Sequence, residues 1–152
     1  MYSILFICSA NICRSPMAEG LFQIKVRGQT GPWRIESAGV WGMDGSPAAD
    51  NTLRVLLKRG IDLSSHLARQ VTLDLASQFN LILTMERGHK EALNAAMPQI
   101  SRRVFVLSEM AGKAYDIPDP IGGDVAEFED TARELERIFE RGWERICQLA
   151  GG

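Results

Sequence analysis

The first sixteen residues bring a thiol, a guanidinium and a hydroxyl into one short string: Cys8-Ser9-Ala10-Asn11-Ile12-Cys13-Arg14-Ser15-Pro16. An apolar run, Ser3 to Ile7, precedes it, and a segment with helical spacing, Pro16 to Val26, follows it. A loop that passes from a strand into a helix turns its backbone N–H groups into one concavity. With the helix dipole behind it, that concavity suits a tetrahedral oxyanion. Cys8 stands at the start of this loop and faces the anion. The helix N-terminus and the Arg14 guanidinium both favour a thiolate there, and the Ser15 hydroxyl is placed to donate to the sulfur. Arg14 offers a planar fork that matches two phosphoryl oxygens, which a lysine does not. The chemistry this suggests is thiolate attack on phosphorus. The loop amides of Ser9, Ala10, Asn11, Ile12, Cys13, Arg14 and Ser15, with the Arg14 fork, hold the equatorial oxygens. No Gly-Lys-Ser/Thr follows the strand, so a nucleoside triphosphate is not the expected ligand.

A thiolate cannot protonate a phenolate or alkoxide leaving group, so a second residue must. Asp119 in Ile117-Pro118-Asp119-Pro120 is a candidate, because flanking prolines restrict the backbone and can aim the carboxyl group. A bound dianion would favour the protonated form needed for donation. Asp-Pro also marks ordinary turns, and Asp116 and Asp124 compete for the role. Asn11 lies mid-loop, where a left-handed backbone is tolerated better by Asn than by most residues. Ile12 and Trp41 are candidate walls of a substrate pocket, Trp41 being equally readable as a partly buried packing residue. Cys147 reads as a buried helix residue and His89 as a solvent-facing one.

These residues need a scaffold. Short apolar runs alternate with helical patterns, which indicates an α/β fold. Strands are expected at Ser3 to Ile7, Arg34 to Ala38, Asn80 to Met85 and Val104 to Leu107. Helices are expected at Pro16 to Val26, Pro47 to Arg59 (with Ser46 as cap and Gly60 as stop), Leu73 to Gln78 and Glu86 to Ala96. One long amphipathic helix is expected from Val125 to Leu149. The expected architecture is one domain over residues 1–152: a four-stranded, mainly parallel sheet with helices on both faces and the anion loop after the first strand. Cys8, the Ser37 to Trp41 segment and the Asp119 loop would then leave the same edge of the sheet, where such folds bind ligands.

The 152 residues suit one core, and a formal net charge of −2 suggests no general affinity for nucleic acid or anionic membrane. The apolar start has no basic lead and is too short for a signal-peptide core. No other stretch is apolar enough to span a bilayer, so a cytoplasmic location is expected. Three cysteines, Cys8, Cys13 and Cys147, do not form a disulfide framework or a zinc pattern, and His66 and His89 have no metal cage around them. No metal or cofactor is expected.

The string Cys8-x5-Arg14-Ser15-Pro16 at the N-terminus resembles the signature of the low-molecular-weight protein tyrosine phosphatases. Ser37-Ala38-Gly39, His66 to Thr72, Leu83-Thr84-Met85-Glu86 and Asp119-Pro120 also fall where that family has equivalents, so the likeness covers nearly the whole chain. The resemblance implies a cysteine-dependent phosphatase acting through a phosphocysteine intermediate. It selects Asp119 as the general acid and implies a hydrogen-bonded network of Asn11, Ser15, Ser37 and His66 bracing the loop. It supports reversible oxidation joining Cys13 to Cys8. The implied partner is a phosphotyrosine-containing protein; a bacterial tyrosine kinase of exopolysaccharide export is one setting it suggests.

Three departures bear on substrate. Ala10 stands where the family usually has glycine. Ile121-Gly122-Gly123 follows Asp119-Pro120 where the family often has tyrosines, and this ending is similar to that of phosphatases acting on phosphoarginine. Ile12 points the other way, since those enzymes carry threonine there. Phosphotyrosine is the leading expectation and protein phosphoarginine the alternative. An arsenate reductase, which lacks its relay cysteines here, and a non-catalytic phosphoprotein-binding module rank below them.

Overall fold

The computed structural model describes residues 1–29 and 31–152. Four strands, β1 (Tyr2–Cys8), β2 (Trp33–Gly39), β3 (Leu81–Thr84) and β4 (Val104–Val106), form one parallel sheet in the order β2-β1-β3-β4. The chain leaves β1 toward β2 on one side and later returns to β3 on the other. The connections therefore diverge at the carboxyl ends of β1 and β3, which is where a crevice opens in sheets of this kind. Cys8 ends β1 opposite Gly39 of β2, and Glu86 lies just beyond β3.

The helices are α1 (Arg14–Lys25), α2 (Asp50–Lys58), α3 (Leu73–Ala76), α4 (Arg87–Ala96), α5 (Val125–Arg141) and α6 (Trp143–Ala150), with 3-10 turns at Pro98–Arg103 and Leu107–Met110. Alternation along β1 divides the core. Ile4, Phe6 and Cys8 face α1, α2, α5 and α6, where Met17, Phe22, Leu56, Leu135 and Phe139 pack. Leu5 and Ile7 face the opposite side with Phe79, Ile82 and Leu93. The first face is the thicker. Phe22 there meets Phe6, Trp33 and Phe139 edge-on, with ring centroids 5.8, 5.2 and 5.0 Å apart.

Two expectations about the helices need correction. The C-terminal helix is not continuous: it breaks at Gly142 into α5 and α6. A Cβ at Gly142 would lie 2.7 Å from the Cβ of Met110 and 2.9 Å from its carbonyl oxygen, so the chain turns where glycine permits the approach. As a result α5 covers α1 and α2, while α6 covers β1 and β3. The helix expected from Pro47 starts at Asp50, and Ser46 does not cap it; Ala49 holds the N-cap position without a side-chain bond. The Ala49 N–H is instead committed to the carbonyl of Ile12 at 2.8 Å, which pins the start of α2 to the anion loop.

Candidate active site

The loop from Cys8 to Ser15 is fastened by its carbonyls. Cys8, Ser9 and Ala10 accept the N–H groups of Val40, Trp41 and Met43 at 3.0, 2.9 and 3.1 Å. Asn11 O accepts from His66 Nε2 at 2.9 Å, and Ile12 O from Ala49. Cys13 O accepts from Met17 N at 3.2 Å and from the Thr52 hydroxyl at 3.3 Å. With the carbonyls bonded to the surrounding segments, the N–H groups of Ser9 through Ser15 donate to no other group among the described residues. A peptide plane whose oxygen is held on one side presents its N–H to the other. These amides form a cradle of unpaired donors after β1.

The close fit between loop and β2 depends on Gly39. A Cβ there would come within 2.5 Å of Ser9 O and 3.1 Å of Asn11 N. Asn11 takes φ +64°, the left-handed conformation expected for it, and is the only non-glycine with positive φ among the described residues. Ala10 is therefore accommodated without that strain.

Cys8 is 3 % exposed, and its Sγ lies 2.9 Å from Ser15 Oγ. Asn11 Nδ2 donates to Ser15 Oγ at 2.7 Å and to Ser37 Oγ at 3.0 Å, and Ser37 donates onward to Glu19 at 2.7 Å. With one lone pair of Ser15 taken by the Asn11 amide, its hydroxyl proton has two acceptors within reach, the Cys8 sulfur at 2.9 Å and the more distant Ala38 carbonyl at 3.4 Å. Asn11 Oδ1 accepts the Arg69 N–H at 3.1 Å. The structure thus brings Asn11, Ser15, Ser37 and His66 together around the loop, and adds Glu19, Thr52 and Arg69, which sequence reasoning did not single out. Burial pushes the Glu19 carboxyl up, against the Ser37 hydrogen bond. Burial likewise lowers His66, with the bond to Asn11 O opposing. The second thiol of the loop, Cys13, is pushed up to about 12 by burial, with Asp119 and Cys8 acting the same way. It is therefore held protonated at neutral pH.

Arg14 is 1 % exposed and divided in function. Its Nη1 donates to Glu86 Oε2 at 2.6 Å and to the carbonyl of Ile117 at 2.7 Å. Its Nη2 has two long contacts of 3.5 Å, to Ser9 Oγ and Asp119 Oδ2, and its buried Nε has no partner among the described residues. Nε and Nη2 share one edge of the guanidinium, the edge that forms a two-pronged bond to an oxyanion. One nitrogen anchors the side chain; the other two face the cradle.

Glu86 is a further residue that sequence reasoning left without a role. It occupies the N-cap position of α4 at the end of β3, so the capping carboxylate also becomes the anchor of Arg14. His89 was expected to face solvent, and the structure overturns this: it is 6 % exposed. Its Nδ1 accepts the Glu86 N–H at 3.1 Å and its Nε2 lies 2.9 Å from Ser9 Oγ. A histidine at the third helical position is not the usual Glu or Gln of a capping box, so the pattern carried no signal for it.

Asp119 is brought to the same crevice. The N–H of Ile117 donates to Met85 O at 3.0 Å and the carbonyl of Ile117 accepts from Arg14, so the loop is tied on both sides just before Pro118. Asp119 Oδ1 accepts the Ile121 N–H at 3.1 Å, leaving Oδ2 toward Arg14. Its competitors are engaged elsewhere. Asp116 accepts from the backbone and side chain of Arg87, which hold its carboxyl below the usual range. Asp124 caps α5 through the Glu127 N–H at 3.0 Å.

Trp41 is 79 % exposed, so it is not a partly buried packing residue. It lines a cavity of about 350 Å³ together with Ser9, Val71, Glu86, His89 and Leu93. Ile12 is half-buried against the thicker core. Cys147, expected buried, is half-buried. No helix among the described residues is long and apolar enough to cross a membrane.

A family model described as low molecular weight phosphotyrosine protein phosphatase matches residues 3–147. A probable low molecular weight protein-tyrosine-phosphatase EpsP from Ralstonia nicotianae is 36 % identical over 147 residues, covering 97 % of each chain. A protein-arginine-phosphatase from Geobacillus stearothermophilus is 33 % identical over 146 residues, covering 95 % of this chain and 96 % of the relative. The crystal structure of a low molecular weight protein tyrosine phosphatase from T. tengcongensis superposes with a TM-score of 0.90 at 34 % identity, covering 95 % of this chain and 99 % of that one. With a four-stranded parallel sheet of the same fold and a match over nearly its whole length, this chain belongs to the low molecular weight phosphotyrosine protein phosphatase family of cysteine-dependent phosphatases.

Proposed function

We propose that the protein hydrolyses phosphotyrosine on proteins, with Cys8 as nucleophile, Arg14 as phosphoryl clamp and Asp119 as general acid. The Cys8 sulfur attacks phosphorus as the bond to the phenolic oxygen breaks. Asp119 passes its proton to that oxygen, and the phosphoryl group remains on sulfur. Asp119, now a carboxylate, takes a proton from water as the water attacks the phosphocysteine, releasing phosphate and restoring the thiolate. The amides of Ser9 to Ser15 and the Nε–Nη2 edge of Arg14 stabilise the charge spread over the equatorial oxygens. One observation carries this reading: beside the Cys8 sulfur, seven consecutive N–H groups and the Nε of a buried guanidinium have no partner among the described residues and can bind something anionic.

Trp41, exposed beside Ser9, and Ile12 are the proposed walls for the aryl ring. A phosphotyrosine-bearing protein is the proposed partner, and a bacterial tyrosine kinase of exopolysaccharide export is the first to test. A second reading, protein-arginine phosphatase, is favoured by Ile121-Gly122-Gly123 and by the relative of that name. The test is phosphate release from matched phosphotyrosyl and phosphoarginyl peptides. Faster turnover of the phosphotyrosyl peptide is expected, and a strong preference for phosphoarginine would replace the first reading with the second. Cys8→Ser should abolish release from both while inorganic phosphate still binds; turnover surviving in that variant would remove Cys8 from the mechanism.

A further inference from the structure

His89 makes two hydrogen bonds that together define its proton. Its Nδ1 accepts the Glu86 N–H, so the neutral ring carries hydrogen on Nε2 and donates it to Ser9 Oγ. Burial holds the ring below the ordinary imidazole range, and Arg14 acts the same way, against Glu86, Asp116 and Asp119. The other neighbour of the Ser9 hydroxyl is Arg14 Nη2, which can only donate. Both partners of Ser9 Oγ are therefore donors, and its own hydrogen has no acceptor among the described residues; Asp119, on the same Nη2, makes no hydrogen bond to it. An oxygen held on the Nε–Nη2 edge of Arg14 would be the neighbour of that hydrogen.

We infer that His89 is a positioning residue for phosphoryl binding: with Arg14 it occupies the lone pairs of Ser9 Oγ and so turns the Ser9 hydroxyl hydrogen toward the bound phosphoryl group. The side chain of Ser9 then adds a donor to the backbone cradle, directed from a histidine on α4, which starts beyond a different strand. The inference rests on the reading that residues 8–15 hold a phosphoryl group.

Two near-isosteric substitutions separate this role from the capping of α4. In His89→Asn the amide oxygen sits near the Nδ1 position and keeps an acceptor for the Glu86 N–H, but no donor reaches Ser9. In His89→Gln the terminal amide reaches the Nε2 position and restores a donor. The readouts are kcat and KM for 4-nitrophenyl phosphate, inhibition by inorganic phosphate, and the melting temperature. His89→Asn should raise KM and weaken phosphate inhibition roughly three- to tenfold, the range for one hydroxyl hydrogen bond, with a smaller change in kcat. His89→Gln should recover most of that loss. Ser9→Ala should show the same loss as His89→Asn, and adding His89→Asn to Ser9→Ala should cost nothing further. Equal losses in the Asn and Gln variants, an undiminished His89 effect without the Ser9 hydroxyl, or wild-type behaviour of Ser9→Ala would each overturn the assignment. A wild-type protein that neither cleaves the aryl phosphate nor is inhibited by phosphate would instead defeat the reading of the loop itself.

Discussion

The loop that holds Cys8 and the loop that holds Asp119 meet at one guanidinium but are built differently. From Cys8 to Cys13 every carbonyl is bonded, to partners on the 40–52 segment, on His66 and on α1. The Asp119 loop is tied at Ile117, then runs through Pro118 and Pro120 with the aspartate side chain 36 % exposed. The contrast follows from the task proposed for each. A cradle stabilises a transition state best when its dipoles are already oriented, since reorganising them would cost free energy at the moment of reaction. A proton donor must meet leaving groups of different size and then a water, so a carboxyl on a less tightly bonded loop suits it. Arg14 joins the two: Nη1 holds the Asp119 loop through Ile117 O, while Nε and Nη2 face the cradle.

The sharpest way to break this comparison is Arg14→Ala, because it removes the shared part. We expect turnover to fall by at least about a thousandfold and phosphate binding to be lost, as one catalytic clamp disappears. Stability should drop by about 1–3 kcal/mol, since Ile117 O and the half-buried Glu86 carboxylate lose their partner. Chemical denaturation with parallel kinetics measures both; a stable variant with intact phosphate binding would show that the two loops do not depend on Arg14.

Asp119→Ala addresses the looser loop alone. kcat should fall by about 10²–10⁴ for a phenyl or tyrosyl leaving group and much less for one that departs without a proton. Phosphate inhibition and melting temperature should stay close to those of the wild type. Equal losses across a leaving-group series would remove Asp119 from the role of acid.

Asn11 tests how much the tight loop depends on its brace, and the effect should be the smallest of the three in turnover. Asn11→Ala loses three side-chain hydrogen bonds and places a Cβ residue without Asn's tolerance at φ +64°. A loss of about 1–3 kcal/mol in stability is expected, with weaker phosphate binding. Asn11→Gly should recover the backbone part of the loss and not the hydrogen bonds. If both variants bind phosphate as the wild type does, the bracing network is not what orders the amides.

The elements of the fold were legible where apolar alternation is strong. β1 and β2 each extend one residue beyond both expected ends, and β3 is shorter by one residue at each end. The misreadings share a cause. Ser46 looked like a cap by type, but the Ala49 N–H is taken by Ile12 O, across the fold. Val125 to Leu149 keeps a helical stripe through Gly142, and nothing local reveals that Met110 packs there. Glu86 and His89 looked like ordinary residues at a helix start, because their partners Arg14 and Ser9 are more than seventy positions away in sequence.

What the sequence determined by itself was the local chemistry: a thiol, a left-handed Asn, a guanidinium and a hydroxyl at fixed offsets between a strand and a helix, where backbone geometry alone turns amides inward. What only the tertiary structure decided was which distant groups complete that loop. Glu86 as anchor of Arg14, His89 as partner of Ser9, Asp119 rather than Asp116 or Asp124 beside the guanidinium, and Trp41 in the open are consequences of strand order. The edge where β1 and β3 end side by side brings those segments together, and no periodicity within any one segment records that meeting.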